Sequence, residues 1–147
     1  MSEYLISDVY GYFIDRTAKA IKGDLNSRFR KLGINLTAEQ WLILSKLSDK
    51  DGQSQVELGD KTYKNAPTVS RIIDLLCEKG FAERRTDAGD RRKFHIFITD
   101  KGRMTVEKVM PEVIEARKSG WAGLSHEDYE SLIRIVDKVF DNLTSRR

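Results

Sequence analysis

Five cationic side chains fall within one short stretch near the middle of the chain: Arg84, Arg85, Arg91, Arg92 and Lys93. Guanidinium and ammonium groups at this density can bind phosphate oxygens, because they donate charge-assisted hydrogen bonds to them. Residues 59–103 contain 11 Lys or Arg and 7 Asp or Glu, whereas the rest of the chain contains 15 and 16. The excess positive charge is therefore confined to one region, which indicates that this region meets a polyanion.

Side chains with catalytic or metal-binding potential are few and isolated in the sequence. Neither His95 nor His126 has a second histidine or a cysteine at metal-ligand spacing, so we predict no metal site. Cys77 lies near the C-terminal end of a predicted helix, where the helix dipole disfavours a thiolate, and we expect it to pack. No glycine-rich phosphate loop and no nucleophile elbow occurs. We therefore expect no catalytic residue, no cofactor and no enzymatic activity.

The composition favours a single globular chain in the cytoplasm. Of its 147 residues, 39% are hydrophobic and 33% are charged, which leaves room for one core and a large polar surface. One cysteine fits a reducing compartment. The apolar runs are too short to span a bilayer, and we recognise no signal peptide, so we expect no membrane association.

The first 50 residues read as two helices. Apolar residues recur every three or four positions through most of the first 30 residues, which predicts a long helix ended by Gly33. A helix of that length in a small protein can extend beyond its own core and pack against a second chain. The second helix is predicted to begin at Thr37, because Thr37 and Gln40 have the spacing of a capping box.

Two shorter helices are predicted next, joined by a turn. Ser54 and Glu57 form a second capping box, which opens the third helix. Asn65 is the expected N-cap of the fourth helix, with Pro67 in its first turn, where proline needs no N–H partner. Gly80 ends this helix. The pattern is that of a helix-turn-helix.

The fourth helix has one apolar and one polar face. Residues at positions i, i+3, i+4 and i+7 face the predicted core: Val69, Ile72, Ile73 and Leu76. The opposite face carries Thr68, Ser70, Arg71 and Asp74. Short hydrogen-bonding side chains and an arginine near a helix N-terminus are typical of a helix that enters the DNA major groove.

A β-hairpin and two further helices complete the predicted elements. After Gly80 the hydrophobic period changes to two, which predicts strands over residues 81–86 and 92–98 with a turn at 87–90. Thr99 caps a fifth helix reaching roughly Lys118, which Pro111 should kink or break. Ser125 and Asp128 open a sixth, amphipathic helix.

The five hairpin cations have two interpretations. A basic hairpin can lay its charges along a phosphate backbone and insert one arginine into a narrow minor groove. Charges on an edge hairpin also prevent strand-to-strand aggregation without any ligand. Because the hairpin directly follows a helix-turn-helix, the sequence favours the first interpretation.

Over nearly its whole length the chain resembles the MarR (multiple antibiotic resistance regulator) family. The resemblance rests on several ordered motifs, which together are specific: Val56–Leu58, Pro67–Gly80, Phe81–Arg85, Asp87–Arg92 and Ile98–Gly102. Two positions depart from the family pattern. Gly59 stands with Asp60 where helix formers are usual, which should weaken the third helix, and Pro67 replaces a common serine.

The resemblance implies a fold, a partner and an assembly. The expected fold is mainly α with a small β-hairpin wing (α+β), a winged helix-turn-helix with N- and C-terminal dimerisation helices. It implies a symmetric homodimer on double-stranded DNA, in which Asp90 braces Arg92 in the minor groove. The corresponding division is an N-terminal dimerisation helix at 1–34, a DNA-binding domain at 35–100 and C-terminal dimerisation helices at 101–147.

Two sets of site residues follow from this interpretation. The expected DNA-binding residues are Ser54, Gln55, Asn65, Thr68, Ser70, Arg71, Arg84, Arg85, Asp90, Arg91, Arg92 and Lys93. Similar regulators bind small aromatic or phenolic ligands between the dimerisation helices and the winged domain, and Tyr10, Arg16 and Trp41 are candidates to line such a pocket, although most aromatics at this spacing are core.

The sequence thus predicts a sequence-specific transcription regulator that reads a pseudo-palindromic operator, with repression relieved by a small effector. The alternative is a winged-helix protein-interaction module whose basic surface docks an acidic partner. The two differ in whether duplex DNA binds with a steep dependence on salt.

Overall fold

Residues 9–145 are described by the computed structural model, and they form six helices and three strands. The elements in order are α1 (Tyr10–Lys31), α2 (Ala38–Asp49), β1 (Gln53–Ser54), α3 (Gln55–Thr62), α4 (Ala66–Glu78), β2 (Ala82–Thr86), β3 (Phe94–Ile98), α5 (Asp100–Gly120) and α6 (His126–Thr144). The predicted start of the first helix, at residues 1–8, lies outside the described residues. The fold class predicted from the sequence is confirmed.

The predicted helix caps are present with their hydrogen bonds. Both partners of the capping box at Thr37 and Gln40 bond to the backbone, and the same holds at Ser54 and Glu57. Asn65 Oδ1 accepts from the backbone N–H of Thr68 at 2.9 Å, which fixes the start of α4. These caps satisfy N–H groups that a helix cannot pair internally, so they set where each helix begins.

The three strands form one antiparallel sheet in the order β1-β3-β2. In the hairpin, Ala82 lies opposite Ile98 and Thr86 lies opposite Phe94. The short strand β1, which the sequence did not predict, adds Gln53 opposite Ile96. Strand β1 covers one edge of the hairpin at its base. It also joins the wing to the helix-turn-helix, because α3 begins directly after β1.

The hairpin turn is longer than predicted. The second strand of the hairpin, β3, begins at Phe94 rather than at residue 92, so Arg92 and Lys93 belong to the turn. Backbone hydrogen bonds close this turn, from Lys93 N–H to Asp90 O at 3.0 Å and from Asp87 N–H to Lys93 O at 2.9 Å. The turn chemistry of Asp90 therefore extends past the four residues that composition alone indicated.

The chain divides into two compact units, residues 1–114 and 115–147. The core lies in the first unit, where α2, α4 and the sheet meet around residues with no more than 1% exposure: Phe29, Ile43, Leu44, Leu47, Leu58, Val69, Ile72, Ile73, Leu76, Ile96 and Val109. In the second unit, α6 has no buried residue. The functional division at 34/35 and 100/101 stays a prediction.

One expectation about an individual residue needs correction, and a second residue has a role that the sequence did not indicate. The predicted break at Pro111 is wrong, because α5 runs through it without interruption. Pro111 is exposed while Val106, Val109 and Val113 on the inner side are buried, so packing holds the helix together despite the missing N–H. Gly59 is buried, and a Cβ there would lie 3.1 Å from the carbonyl oxygen of Lys64. Its role is therefore close packing of α3 against the turn before α4.

Candidate nucleic-acid interface

Helix α4 is fixed on one side by the core and presents its other side outward. Val69, Ile72, Ile73 and Leu76 are buried, as predicted. Thr68 and Ser70 are half-buried and Arg71 is exposed. Within residues 9–145, Arg71 has no hydrogen bond or ion pair in its own subunit, so its guanidinium is available to a ligand.

The polar residues before α4 are largely occupied by the fold. Ser54 Oγ accepts from Glu57 N–H at 3.1 Å, and Gln55 Oε1 accepts from Arg84 Nε at 3.2 Å. The carbonyl side of the Asn65 amide is likewise engaged in capping α4. The acceptor oxygens of these three side chains are therefore used in contacts within the chain. Only the remaining hydrogen-bond donors of Ser54, Gln55 and Asn65 are available to DNA.

The tip of the hairpin is its most solvent-accessible cationic region. Arg91, Arg92 and Lys93 are exposed in the turn, and the Arg92 side chain is 92% exposed. Asp90 Oδ1 accepts from the Arg92 backbone N–H at 3.0 Å and from Arg92 Nε at 3.3 Å. The turn thus presents three cations to solvent, one of which is held by a carboxylate at its base.

The base of the hairpin uses its two arginines differently. Arg85 lies over the Phe97 ring, 4.2 Å from its centroid, and pairs with Glu83 on the same strand. Arg84 points to α4, where it reaches Asp74 at 2.6 Å, and its side chain is only 25% exposed. The structure therefore separates the five hairpin cations into an exposed tip and a base engaged in contacts within the chain.

Sequence reasoning missed two partners of this region. Phe97 supports Arg85, a cation–π contact that follows from strand register rather than from any motif. His95 Nδ1 lies 3.1 Å from the Gly52 carbonyl oxygen, and its Nε2 lies 3.8 Å from Asp87 Oδ1. Period-two alternation could have placed His95 and Phe97 together on the face opposite Ile96 and Ile98, but it carries no information on the loops that they contact.

The candidate effector residues do not form one pocket within a subunit. Trp41 is buried edge-to-face against Phe29, with ring centroids 6.3 Å apart. Tyr10 and Arg16 are exposed near the start of α1, and Arg16 lies over the Phe13 ring. Because α1 rises about 1.5 Å per residue, Tyr10 lies roughly 28 Å along it from Phe29. A cavity of about 430 Å³ lies instead at the C-terminal end of α1 and the connection to α2, along Gly33–Thr37.

Among the residues that the structure describes, His95, His126 and Cys77 are not part of any cluster of side chains that could bind a metal ion. Cys77 is half-buried and packs against the core, and burial raises the pKa of its thiol. A raised thiol pKa disfavours the reactive thiolate, in line with the expected packing role. In the described part of the chain, no helix is long and apolar enough to cross a membrane.

A model of the MarR family matches residues 36–94, from the start of α2 to the start of β3. Residues 36–94 are a MarR-family domain. The matched segment contains the helix-turn-helix and most of the hairpin, including all twelve predicted DNA-binding residues. The resemblance that the sequence motifs indicated is therefore confirmed over residues 36–94.

Solved structures similar to this chain share its MarR-type fold. Bordetella bronchiseptica BpsR, whose DNA binding is regulated by 6-hydroxynicotinic acid, is 24% identical with a TM-score of 0.84, over 95% of this chain and 99% of its own. S. aureus MepR, in complex with DNA, is 25% identical with a TM-score of 0.82, over 91% and 98%. A mutant of E. coli MarR with operator DNA is 21% identical with a TM-score of 0.83, over 93% and 99%.

Proposed function

We propose that this protein is a DNA-binding transcription regulator that reads a pseudo-palindromic operator as a homodimer. The observation that carries the proposal is the tip of the hairpin, where Arg92 is almost fully exposed yet held by Asp90, on a hairpin whose base contacts the capped helix α4. Duplex DNA presents its phosphate backbone at the surface and its base edges within the grooves. A protein with both an ordered, solvent-exposed guanidinium and a polar helix face can contact the two at the same time.

Each element has a distinct task in the proposed complex. Helix α4 enters the major groove, where Thr68, Ser70 and Arg71 meet base edges. The hairpin tip follows the backbone, and Arg92 enters the minor groove, where the negative potential is strongest when the groove is narrow. The match of residues 36–94 to the MarR family supports this arrangement, because the similar structures of MepR and a mutant E. coli MarR were both solved with DNA.

A homodimer supplies the second half-site. Helix α6 has no buried residue in its own chain, although apolar side chains line one side of it: Tyr129, Leu132, Ile133, Val136, Phe140 and Leu143. Most apolar residues of α1 are also exposed, and of that helix only Phe29 is buried. Apolar surface of this extent favours burial against a second copy. Two copies of α4 about 34 Å apart would span one turn of DNA.

The proposed regulation is a shift between two spacings of the winged domains. A small aromatic or phenolic effector binds the state in which the two winged domains do not match the spacing of the operator half-sites. It thereby lowers DNA affinity and relieves repression. The regulation of BpsR by 6-hydroxynicotinic acid supports an effector of this class. Tyr10, Arg16 and Trp41 remain the candidate effector residues, and they would have to act across two subunits. The proposal includes no catalytic step, and it places the protein in the cytoplasm with the DNA it binds.

The test is a salt titration of binding to duplex DNA, measured by fluorescence anisotropy with fragments that the purified protein retains from a genomic library. The log–log slope should be about −0.9 for each phosphate neutralised. Arg92→Ala should weaken binding markedly, and Arg30→Ala, an exposed arginine outside the hairpin, serves as a control. Failure of any duplex to bind, with capture of an acidic protein instead, would favour the protein-interaction module.

A further inference from the structure

Arg84 differs from the other four hairpin cations in its surroundings. It is half-buried, whereas Arg85, Arg91, Arg92 and Lys93 are exposed. Its side chain is 25% exposed, compared with 92% for Arg92. The fold therefore holds this guanidinium against the chain, at the base of the wing.

The Arg84 guanidinium contacts two helices of the helix-turn-helix. Its Nη2 lies 2.6 Å from Asp74 Oδ1 and 3.3 Å from the Ser70 carbonyl oxygen, both on α4. Its Nε donates to Gln55 Oε1, on the first residue of α3, at 3.2 Å. One planar group thus connects β2, α3 and the middle of the helix that presents Arg71.

These contacts change what Arg84 can do for DNA. A carboxylate at 2.6 Å neutralises its charge locally, so it contributes little to attraction of a distant phosphate. Its donors form a rigid fork, and the three acceptors determine its orientation. Within residues 9–145, no hydrogen bond or ion pair joins the tip of the wing to α4. The direction of the wing relative to α4 therefore depends on how its base is held.

We propose that Arg84 is a positioning residue that fixes the wing relative to α4, with Asp74 as its essential partner, and that it is not a phosphate contact. The proposal rests on the DNA-binding function proposed above. The wing of a protein that reads two grooves must keep a set angle to the reading helix, because Arg92 and Arg71 have to reach their sites together.

The sign of the effect of Asp74→Asn separates the two roles. If Arg84 contacted a phosphate, removing the neighbouring carboxylate would strengthen DNA binding, since a negative charge near the duplex would be lost. If Arg84 positions the wing, Asp74→Asn weakens binding by at least about threefold, because the contact that orients the guanidinium is weakened. Asp49→Asn removes an exposed carboxylate without a described partner and controls for net charge.

A double-mutant cycle gives the second readout. If Arg84→Ala releases the wing, Arg92 no longer reaches its site on the DNA. Adding Arg92→Ala should then reduce DNA affinity by a much smaller factor than it does in the wild type. Two independent phosphate contacts would give additive losses instead. Arg85→Ala serves as the matched control, because Arg85 pairs within its own strand and its loss should be additive with that of Arg92. Arg84→Lys keeps the charge but not the fork, and it should not restore binding.

All variants are compared as full-length protein on one retained DNA fragment, at a temperature where circular dichroism shows each to be folded. Weakening by Asp74→Asn together with a non-additive Arg84 and Arg92 cycle supports the proposal. Strengthening by Asp74→Asn or an additive cycle overturns it and makes Arg84 a DNA contact. Failure of the wild type to bind any duplex overturns the proposed function itself, which is a separate outcome.

Discussion

Asp90 holds Arg92 through a single carboxylate oxygen. Asp90 Oδ1 accepts from the Arg92 backbone N–H at 3.0 Å and from its Nε at 3.3 Å, so backbone and side chain are fixed by the same atom. Asp90 is only 30% exposed at the side chain, whereas Arg92 is 92% exposed. The carboxylate therefore restricts a long side chain that solvent would otherwise leave free.

We predict that Asp90→Ala weakens operator binding by about two- to tenfold, because Arg92 must then be ordered on binding at about 0.5–1.5 kcal/mol. The sign decides the matter, since loss of a negative charge beside DNA would by Coulomb's law alone strengthen binding. Anisotropy titrations at fixed salt measure the effect, with Asp49→Ala as the charge-matched control. Tighter binding by Asp90→Ala would show that Asp90 does not brace Arg92.

The exposed guanidinium of Arg71 is expected to read a base. We predict that Arg71→Ala reduces discrimination at one base pair by about 1–3 kcal/mol, because a bidentate contact to guanine is the usual role of an arginine on a reading helix. Competition with single-base variants of the operator measures this loss position by position. Arg91→Ala, at the wing tip, should weaken all variants evenly. An even loss from Arg71→Ala would assign it to the backbone.

Local signals in the sequence predicted much of this fold. Three capping boxes, at Thr37, Ser54 and Ser125, mark helix starts that the structure confirms, because a cap depends only on residues three positions apart. The inward face of α4 was equally readable, since its period reports directly which side is buried. The polar face of α4 is then the side of the helix that this period does not bury.

Contacts between distant segments could not be predicted in this way. Gln53 is 1% exposed, and its amide donates to the carbonyl oxygens of Lys46 and Lys50 while accepting from Lys61 Nζ at 2.6 Å. A glutamine between a turn and a capping box carries no sign of burial. Arg84 looked like one more hairpin cation, because sequence distance does not show that Asp74 lies beside it.

Helix α6 should hold two copies together. We predict that Leu132→Asp shifts the protein toward monomer in sedimentation velocity, because it places a charge in the apolar face left exposed in one chain. It should also weaken binding to a full palindrome more than binding to a half-site. Lys138→Asp, on the opposite side of the helix, is the control. A monomeric wild type, or an unaffected dimer, would remove α6 from the interface.

Gly102, in the first turn of α5, packs directly against Phe81 and Ile98. A Cβ at this position would overlap the Phe81 carbonyl oxygen and lie 2.7 Å from Ile98 Cγ1. Since the first obstacle is backbone, we predict that Gly102→Ala lowers the free energy of unfolding by about 1–3 kcal/mol or more. Urea denaturation measures this loss. Gly120→Ala, with open space around its Cβ, should have no such cost, and equal effects of both variants would contradict the packing argument.

Glu39 joins three parts of the first unit electrostatically. Its Oε1 lies 3.5 Å from Lys22 Nζ on α1 and 3.6 Å from Lys64 Nζ just before α4. Burial alone would raise the pKa of this carboxyl, but the two lysines outweigh burial and hold the pKa below its usual range. The charged form is therefore favoured in the folded state.

A lowered carboxyl pKa stabilises the fold above the pKa of the unfolded chain, about 4.3, and this contribution is lost as pH falls through the lower folded value. We predict that Glu39→Gln reduces the free energy of unfolding at pH 7 by no more than about 1 kcal/mol, because the pair is partly exposed. The difference from wild type should shrink as pH falls through the lowered folded pKa of Glu39, because the protonated carboxyl is uncharged like the glutamine that replaces it. Urea denaturation at pH 7, 5 and 3 measures it, with Glu107→Gln, an exposed glutamate without a described partner, as the control. A difference that persisted unchanged at pH 3 would trace the effect of Glu39 to packing rather than to charge.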